Sequence, residues 1–250
     1  MVNHLRFLLW ALIILVVIAG AAAWLIPTAG ISLSGAGVRS PLRDSRVEAF
    51  IRAPQDHAGW LVQQGSRCGQ APFQMPVTGF VGYLWDDSFR PGHRHQGIDI
   101  FGGGQPGDTP VYAAADGFLT RELTWKSSLI IRLPDDPLQP GRQIWTYYTH
   151  MADPGGNSLI AADFPPGTQE VFVKAGTLLG KMGNFSGDPG SPVGVHLHFS
   201  ILRDDGSGNY PNELDINNTL DPSPYFGLNL NAHNNSDEIP ICPTPIPGGQ

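Results

Sequence analysis

The sequence predicts a mostly β protein, with an antiparallel sheet that forms an open sandwich or partial barrel around a groove. Glycine and proline are abundant, at 31 and 23 of 250 residues, which favours short strands and many turns over long helices. From about residue 73 onward, short apolar runs alternate with turn-forming clusters of Gly, Pro, Asn and Asp. The clearest strand is 193–201, VGVHLHFSI, in which apolar residues alternate strictly with Gly, His and Ser.

One apolar helix is predicted before the sheet, at the N-terminus. Residues 7–26, FLLWALIILVVIAGAAAWLI, are 20 uncharged residues, a length that suits a membrane-spanning helix. The alternative is a cleaved signal peptide, since the small residues of AGAAAW offer a cleavage site. Either interpretation places the rest of the chain outside the cytoplasm, where it is membrane-anchored by a single pass or secreted.

Composition divides the chain into four segments. Residues 1–27 form the signal anchor or signal peptide. Residues 28–67 are predicted to form an extracytoplasmic linker. Its first part, 28–46, is small and polar with no sustained apolar period, and 47–64 are predicted to form a short helix that breaks at Pro54. The β-rich domain is predicted over 68–228, and an Asn- and Pro-rich tail follows at 229–250.

Cysteine count and net charge narrow the function classes. The two cysteines, Cys68 and Cys242, are a candidate disulfide between the start of the domain and the tail, and the alternative is two unpaired thiols. The net charge of −7 argues against nucleic acid as a partner, because a nucleic-acid binder normally carries a basic patch.

Five of the eight histidines fall in the β-rich region, in three clusters. In the first, GHRHQGIDIF, His95 and Asp99 would lie ~13 Å apart on a straight strand that rises ~3.3 Å per residue. They can therefore bind one metal ion only if the chain bends between them, and Gly97 permits such a bend. His93, in the same cluster, is predicted to be a solvent-facing loop residue.

The other two clusters lie on predicted strands. In 193–201, His196 and His198 lie side by side on the face opposite to the apolar residues. One of them can bind a metal while the other reaches a group beside that metal. In WTYYTHM, His150 ends a strand, and regular alternation would place it on the same face as Tyr148.

Taken together and in order, these motifs match a known family. HxGxD at 95–99, YxH at 148–150 and HxH at 196–198 closely resemble the LytM/lysostaphin-type zinc metallopeptidases, the M23 peptidase family. The resemblance covers about residues 73–203. It departs from the family before His95, where the usual Gly-x-Arg is blurred into DDSFRPGHRHQG, so the shape of one groove wall is not predicted.

The resemblance implies roles for individual residues. It implies one zinc ion per domain, with His95, Asp99 and His198 as ligands and the fourth position open, as in catalytic zinc sites. It implies His196 as the general base and His150, protonated, as a second catalytic histidine that stabilises the oxyanion. Tyr148 is a candidate for orienting the substrate or His150, with simple packing as the alternative.

The family's usual substrates imply a zinc endopeptidase that cleaves stem peptides or cross-links of bacterial peptidoglycan. Those peptides, and the membrane through the N-terminal helix, are therefore the predicted partners. The alternative is a non-catalytic relative that binds cell wall or activates another wall hydrolase. A serine hydrolase is disfavoured because Ser186, in GNFSG, does not stand in a GxSxG motif. The cleaved bond and the oligomeric state stay open.

Overall fold

The computed structural model describes residues 37–242, and these fold around one large antiparallel sheet. The mostly β, antiparallel fold class is confirmed. The predicted apolar helix at 7–26 lies outside the described residues. Within 37–242, no helix has both the length and the apolar character needed to cross a membrane.

The described residues form ten strands and a few short helices. The strands are β1 (Leu61–Val62), β2 (Gly79–Tyr83), β3 (Ile98–Phe101), β4 (Pro110–Tyr112), β5 (Gly117–Thr120), β6 (Leu129–Leu133), β7 (Ile144–Thr149), β8 (Val171–Val173), β9 (Leu178–Lys181) and β10 (His196–Arg203). The helices are α1 (Pro41–Arg52), α2 (Ser223–Phe226) and 3-10 segments at Pro54–Trp60 and Ile216–Asn218. The main sheet has the order β1-β2-β3-β10-β7-β6-β5-β8, and β4 pairs with β9 in a separate small sheet.

Strand β10 lies inside the main sheet, with β3 on one side and β7 on the other. Its residues Leu197 and Phe199 are buried in the main core, as the alternation predicts. The opposite face is also buried: His196, His198 and Ser200 are at most 7% exposed. A strand that reads as half-polar in sequence is thus enclosed on both faces, and its histidines lie at the bottom of a groove rather than on an open surface.

Helix α1 packs on the sheet as part of the domain, which differs from the linker predicted for 28–67. The helix begins at Pro41, earlier than the short helix predicted from Val47, and the predicted break at Pro54 is observed. The Ser40 side chain accepts a hydrogen bond from a backbone N–H in the first turn, and proline occupies the start of the helix, both typical of a helix N-terminus. Val47 and Phe50 are buried against Phe80 of β2.

The C-terminal segment also packs on the domain as far as it is described. Asn231 bridges to Trp85 beside β2, and Leu230 and Ala232 are buried. Cys68 and Cys242 form a disulfide, with their Cα atoms 5.2 Å apart. The candidate disulfide is therefore present, and it joins segments that are 174 residues apart in sequence.

Candidate metal centre and groove

Three side chains that are distant in sequence meet at one point. His95 Nε2 lies 3.1 Å from Asp99 Oδ1 and 3.0 Å from His198 Nδ1, and the last two atoms are 2.9 Å apart. All three residues are buried, and their ligand atoms form a cluster that could hold a metal ion. These are the three residues that the sequence predicts as metal ligands.

The backbone of the sheet explains why they meet. Asp99 and His198 are direct partners in the register of β3 and β10, so their side chains lie side by side on the groove face. His95 is placed by backbone hydrogen bonds with Asp86 and Asp87, each 2.8 Å long. Gly97 has no positive φ, but a Cβ there would overlap the carbonyl oxygen of Phe199, so glycine is needed for close approach to β10.

The hydrogen bonds behind the two ligand histidines settle their tautomers. His95 Nδ1 lies 2.9 Å from the carbonyl oxygen of Leu84, and His198 Nε2 lies 2.8 Å from Glu213 Oε1. A carbonyl or carboxylate oxygen accepts, so these two ring nitrogens carry the hydrogens. When His198 carries only this one hydrogen, His95 Nε2, His198 Nδ1 and Asp99 Oδ1 face one another as three acceptors. Three acceptors at about 3 Å repel unless a cation lies between them, so the donor set fits a metal ion.

The pKa values of the cluster point to the same conclusion. Burial alone would raise the pKa of Asp99, but His95, His196 and His198 hold it well below its ordinary value of 3.8. Burial alone would lower the pKa of His198, but the charge of Glu213 and the hydrogen bond with Asp99 raise it to about 10. The protein therefore favours a positive charge among these side chains, which a proton supplies in the metal-free chain and a metal ion can replace.

Two further histidines each place a ring nitrogen without a hydrogen in the same groove. His196 Nδ1 donates to the Gly194 carbonyl and His150 Nδ1 donates to the Phe185 carbonyl, each at 2.7 Å. Each ring therefore keeps a lone pair on Nε2. The two rings are adjacent, with centroids 4.5 Å apart, and His196 Nε2 is 3.6 Å from Asp99 Oδ1. Both histidines lie beside the metal-type cluster and can accept protons there.

Burial favours the neutral form of both of these histidines. It lowers the pKa of His150 to about 3. It also lowers the pKa of His196, against the attraction of Asp99. The predicted role of a protonated His150 at an oxyanion stays a prediction, and the ring would have to gain its proton during the reaction.

His150 reaches the groove through an unusual backbone. Strand β7 ends at Thr149, and His150 adopts a φ of +69°, a conformation that non-glycine residues rarely take. The next turn is packed tightly against Gly183, where a Cβ would overlap the carbonyl oxygen of Ala152. Because of this left-handed φ, the His150 ring does not follow the side-chain alternation of β7 and lies next to the ring of His196.

This turn also corrects the interpretation of Tyr148. Its ring is fully buried in the core, edge-on to Phe199 at 5.1 Å, and its hydroxyl accepts a 2.9 Å hydrogen bond from the backbone N–H of Ala114. The packing alternative is the one observed, and Tyr148 does not share a face with His150. Tyr147 lines the groove instead, with its hydroxyl 3.0 Å from Ser128 Oγ.

The groove above the cluster has a volume of about 320 Å³. One wall carries Phe89 and His93, whose rings stack at 4.1 Å, and the rim includes Val193 and Leu214. Burial lowers the pKa of His93 to about 4. His93 lies in a loop, as predicted, but its half-buried ring forms part of the groove wall and does not face bulk solvent.

Glu213 is the residue of this site that sequence reasoning missed. Its side chain is 15% exposed and contacts His198, whose charge holds the pKa of Glu213 below its ordinary value although burial opposes this. It lies in a loop with no apolar period, 15 residues after His198. Glu213 is one of several acidic residues in the turn-rich stretch after β10, so no sequence signal distinguishes it.

Comparisons with known proteins give distant structural likenesses. No protein-family model matches the sequence, and no curated protein matches it. The structure is similar to Csd3 of Helicobacter pylori (20% identity, TM-score 0.38, 62% of this chain and 34% of that one). It is also similar to the catalytic domain of the antimicrobial peptidase lysostaphin from Staphylococcus simulans, with 19% identity and a TM-score of 0.37. That match covers 60% of this chain and 89% of the lysostaphin domain. A third similar structure is a mutant catalytic domain of the prophage-encoded M23 protein EnpA from Enterococcus faecalis, with 23% identity and a TM-score of 0.32. That match covers 60% of this chain and 95% of the EnpA domain.

EnpA is described as an M23 protein, which names the family that the sequence motifs resemble. The chain spans about a third of the length of Csd3. Identities and TM-scores this low do not establish an activity for this chain.

Proposed function

We propose that this chain is a zinc-dependent endopeptidase that cleaves peptides of bacterial peptidoglycan outside the cytoplasm. The observation that carries the proposal is the convergence of five acceptor atoms on one groove. His95 Nε2, Asp99 Oδ1 and His198 Nδ1 would hold zinc. His196 Nε2 and His150 Nε2 lie beside them with free lone pairs. Two imidazoles and one carboxylate are a ligand set of catalytic zinc sites, which keep one position open.

The chemistry that zinc supplies when bound is Lewis acidity, which activates water and polarises a substrate carbonyl. The chain's own histidines then handle protons. His196, neutral and with Nδ1–H donated to Gly194, takes a proton from the attacking water at Nε2 and returns it to the leaving amine. His150 accepts at Nε2 a hydrogen bond from the second O–H of that water, which it does not deprotonate, and so orients the oxygen toward the carbonyl.

The groove supports an uncharged stretch of peptide as the substrate. Among its lining residues that the structure describes, the carboxylates are Asp99 and Glu213, and both are paired with histidines. The rest of the lining is aromatic, aliphatic, hydroxyl or amide in character. An uncharged peptide with small side chains would enter without leaving a buried charge unpaired.

Extracytoplasmic placement is part of the proposal. The Cys68–Cys242 disulfide is typical of proteins that fold in an oxidising compartment. The apolar segment at 7–26 would direct the chain there and, if uncleaved, anchor it to the membrane. Both features would bring the groove to the side of the membrane where peptidoglycan lies.

The test is a cleavage assay with the full-length chain. Purified peptidoglycans that differ in their cross-links are incubated with the protein, and mass spectrometry identifies the products. We expect new amino and carboxyl termini within the peptides, and no such termini with His198→Ala. His57→Ala is the matched control, because His57 stacks on Trp60 outside the groove, and we expect it to cleave like the natural chain.

Binding without cleavage would overturn the proposal. A chain that co-sediments with peptidoglycan and yields no new termini with zinc supplied would be a non-catalytic wall-binding domain. Cleavage of the glycan strand in place of the peptide would also contradict it.

A further inference from the structure

The buried carboxylate of Glu213 is the one charged group of the groove that binds no substrate, metal or proton in the chemistry above. It lies in the connection between β10 and the 3-10 segment Ile216–Asn218. Its Oε1 is 2.8 Å from His198 Nε2, and the two side chains are 15% and 9% exposed. A carboxylate that is hidden this deeply costs free energy unless it is paired, so its position needs an explanation.

The loop that carries Glu213 is tied to the metal side of the groove. Gln96, the neighbour of His95, donates from Nε2 to the carbonyl oxygen of Leu214 at 2.9 Å. Asn218 donates from Nδ2 to the carbonyl oxygen of Asn212 at 2.7 Å. The two residues that flank Glu213 are thus each held by a hydrogen bond, which helps to keep its carboxylate at His198 Nε2.

The charge balance of the proposed zinc site offers a physical reason for the position of Glu213. The three proposed zinc ligands carry one negative charge, on Asp99, which would leave a dication half neutralised in a buried site. Glu213 supplies a second negative charge one imidazole ring away. Zinc, Asp99 and Glu213 would together be neutral. Because the neighbouring His150 and His196 would then not face an excess positive charge, they remain able to accept protons.

We propose that Glu213 is a positioning residue that sets the metal affinity of the site. By accepting the hydrogen of His198 Nε2, it keeps the lone pair on Nδ1, orients the ring and strengthens Nδ1 as a donor. It touches neither substrate nor the reacting atoms, and acts only through His198. This inference rests on the proposed function, since it presumes that the cluster of His95, Asp99 and His198 binds zinc.

The experiment compares metal affinity in three full-length variants. Glu213→Ala removes both the charge and the acceptor, and Glu213→Gln removes the charge but keeps an amide oxygen that can accept. Glu170→Gln is the control, because it removes one charge from an exposed ion pair with Arg132 away from the groove. Zinc affinity is measured by competition with a chelator of known affinity, and the visible spectrum of the cobalt-loaded chains reports ligand geometry.

We expect zinc affinity to fall about 10- to 100-fold in Glu213→Ala, the range for loss of an outer partner of a metal-binding histidine. We expect Glu213→Gln to lie between Glu213→Ala and the natural chain, and Glu170→Gln to match the natural chain. The cobalt spectrum should change in Glu213→Ala. Thermal unfolding of the metal-free variants tests folding separately, so a weak-binding variant that unfolds like the natural chain supports the inference.

Unchanged zinc affinity and cobalt spectrum in Glu213→Ala would overturn the inference and leave the proposed function standing. An equal loss in Glu170→Gln would also overturn it, because the effect would then be one of general charge. A natural chain that binds no zinc would instead overturn the proposed function, and the inference with it.

Discussion

Strand β10 and the end of strand β7 contribute to the same groove through opposite kinds of backbone. β10 is regular from His196 to Arg203, and its alternation places His196 and His198 in the groove and Leu197 in the core. β7 stops at Thr149, and His150 enters the groove from a left-handed residue.

The difference separates the site into two parts with different requirements. The metal-type cluster depends on sheet register, since Asp99 and His198 are paired residues of adjacent strands. The position of His150 depends on a strained turn that tight packing on Gly183 maintains. Mutations in the two parts should therefore have different signatures, loss of metal in the first and loss of rate with metal retained in the second.

The largest expected effect is that of His198→Ala in the regular part. Removing Nδ1 leaves two zinc ligands, and Glu213 loses its partner in a buried site. We expect loss of bound zinc and of peptide cleavage together, measured by elemental analysis and by mass spectrometry of the products. Retention of stoichiometric zinc in this variant would show that the metal binds elsewhere.

A smaller loss is expected for His150→Ala and His196→Ala. Each removes one proton acceptor and no metal ligand, so zinc content should be unchanged while kcat falls by about 10²- to 10⁴-fold, the usual contribution of general acid–base catalysis. Steady-state kinetics on a soluble peptide substrate would measure this. If either variant kept the full rate, the role given to that histidine would be wrong.

Two glycine substitutions sharpen the comparison further. Gly183→Ala forces a methyl group against the carbonyl oxygen of Ala152 and should displace His150, which lowers kcat by about 10²-fold at unchanged zinc affinity. Gly97→Ala forces a methyl group against Phe199 of β10 and should weaken zinc binding. Chelator competition and kinetics on the same samples would distinguish them, and identical signatures would contradict the division into two parts.

The smallest effects are expected for the two adjacent tyrosines. Tyr148→Phe leaves the buried N–H of Ala114 without a partner, so the free energy of unfolding should fall by about 1–3 kcal/mol with kcat unchanged. Tyr147→Phe removes a hydroxyl at the groove, where we expect little change in stability and a change in KM. Urea unfolding and kinetics would test both, and a kcat loss in Tyr148→Phe would restore its predicted role at the site.

The same contrast explains how much of the site could be predicted from sequence. The alternation over 193–201 was enough to place His196 and His198, because the observed strand keeps period two across both histidines. Its bounds were misplaced, since β10 begins at His196 and not at Val193, and it continues to Arg203. Tyr148 was misplaced because the same rule was extended across His150, whose left-handed φ breaks the period. Sequence periodicity predicts the orientation of side chains only where the backbone dihedral angles repeat regularly.

Glu213 and the start of helix α1 escaped prediction for a related reason. Hydrogen bonds from Gln96 and Asn218 hold the loop of Glu213, and no local pattern records them. The first turns of helix α1 are polar in composition, so a helix was predicted only from Val47 onward. In both cases the decisive contacts join parts of the chain that are far apart in sequence.

The central claim is that His95, Asp99 and His198 hold a zinc ion next to two neutral histidines. X-ray absorption spectroscopy of the zinc-loaded full-length chain tests it most directly. We predict one zinc per chain with two imidazole nitrogens and one carboxylate oxygen at about 2.0–2.2 Å. His198→Ala should lose this zinc signal, and His150→Ala should keep it unchanged. A zinc ion without imidazole ligands, or a spectrum that His198→Ala leaves unaltered, would contradict the account.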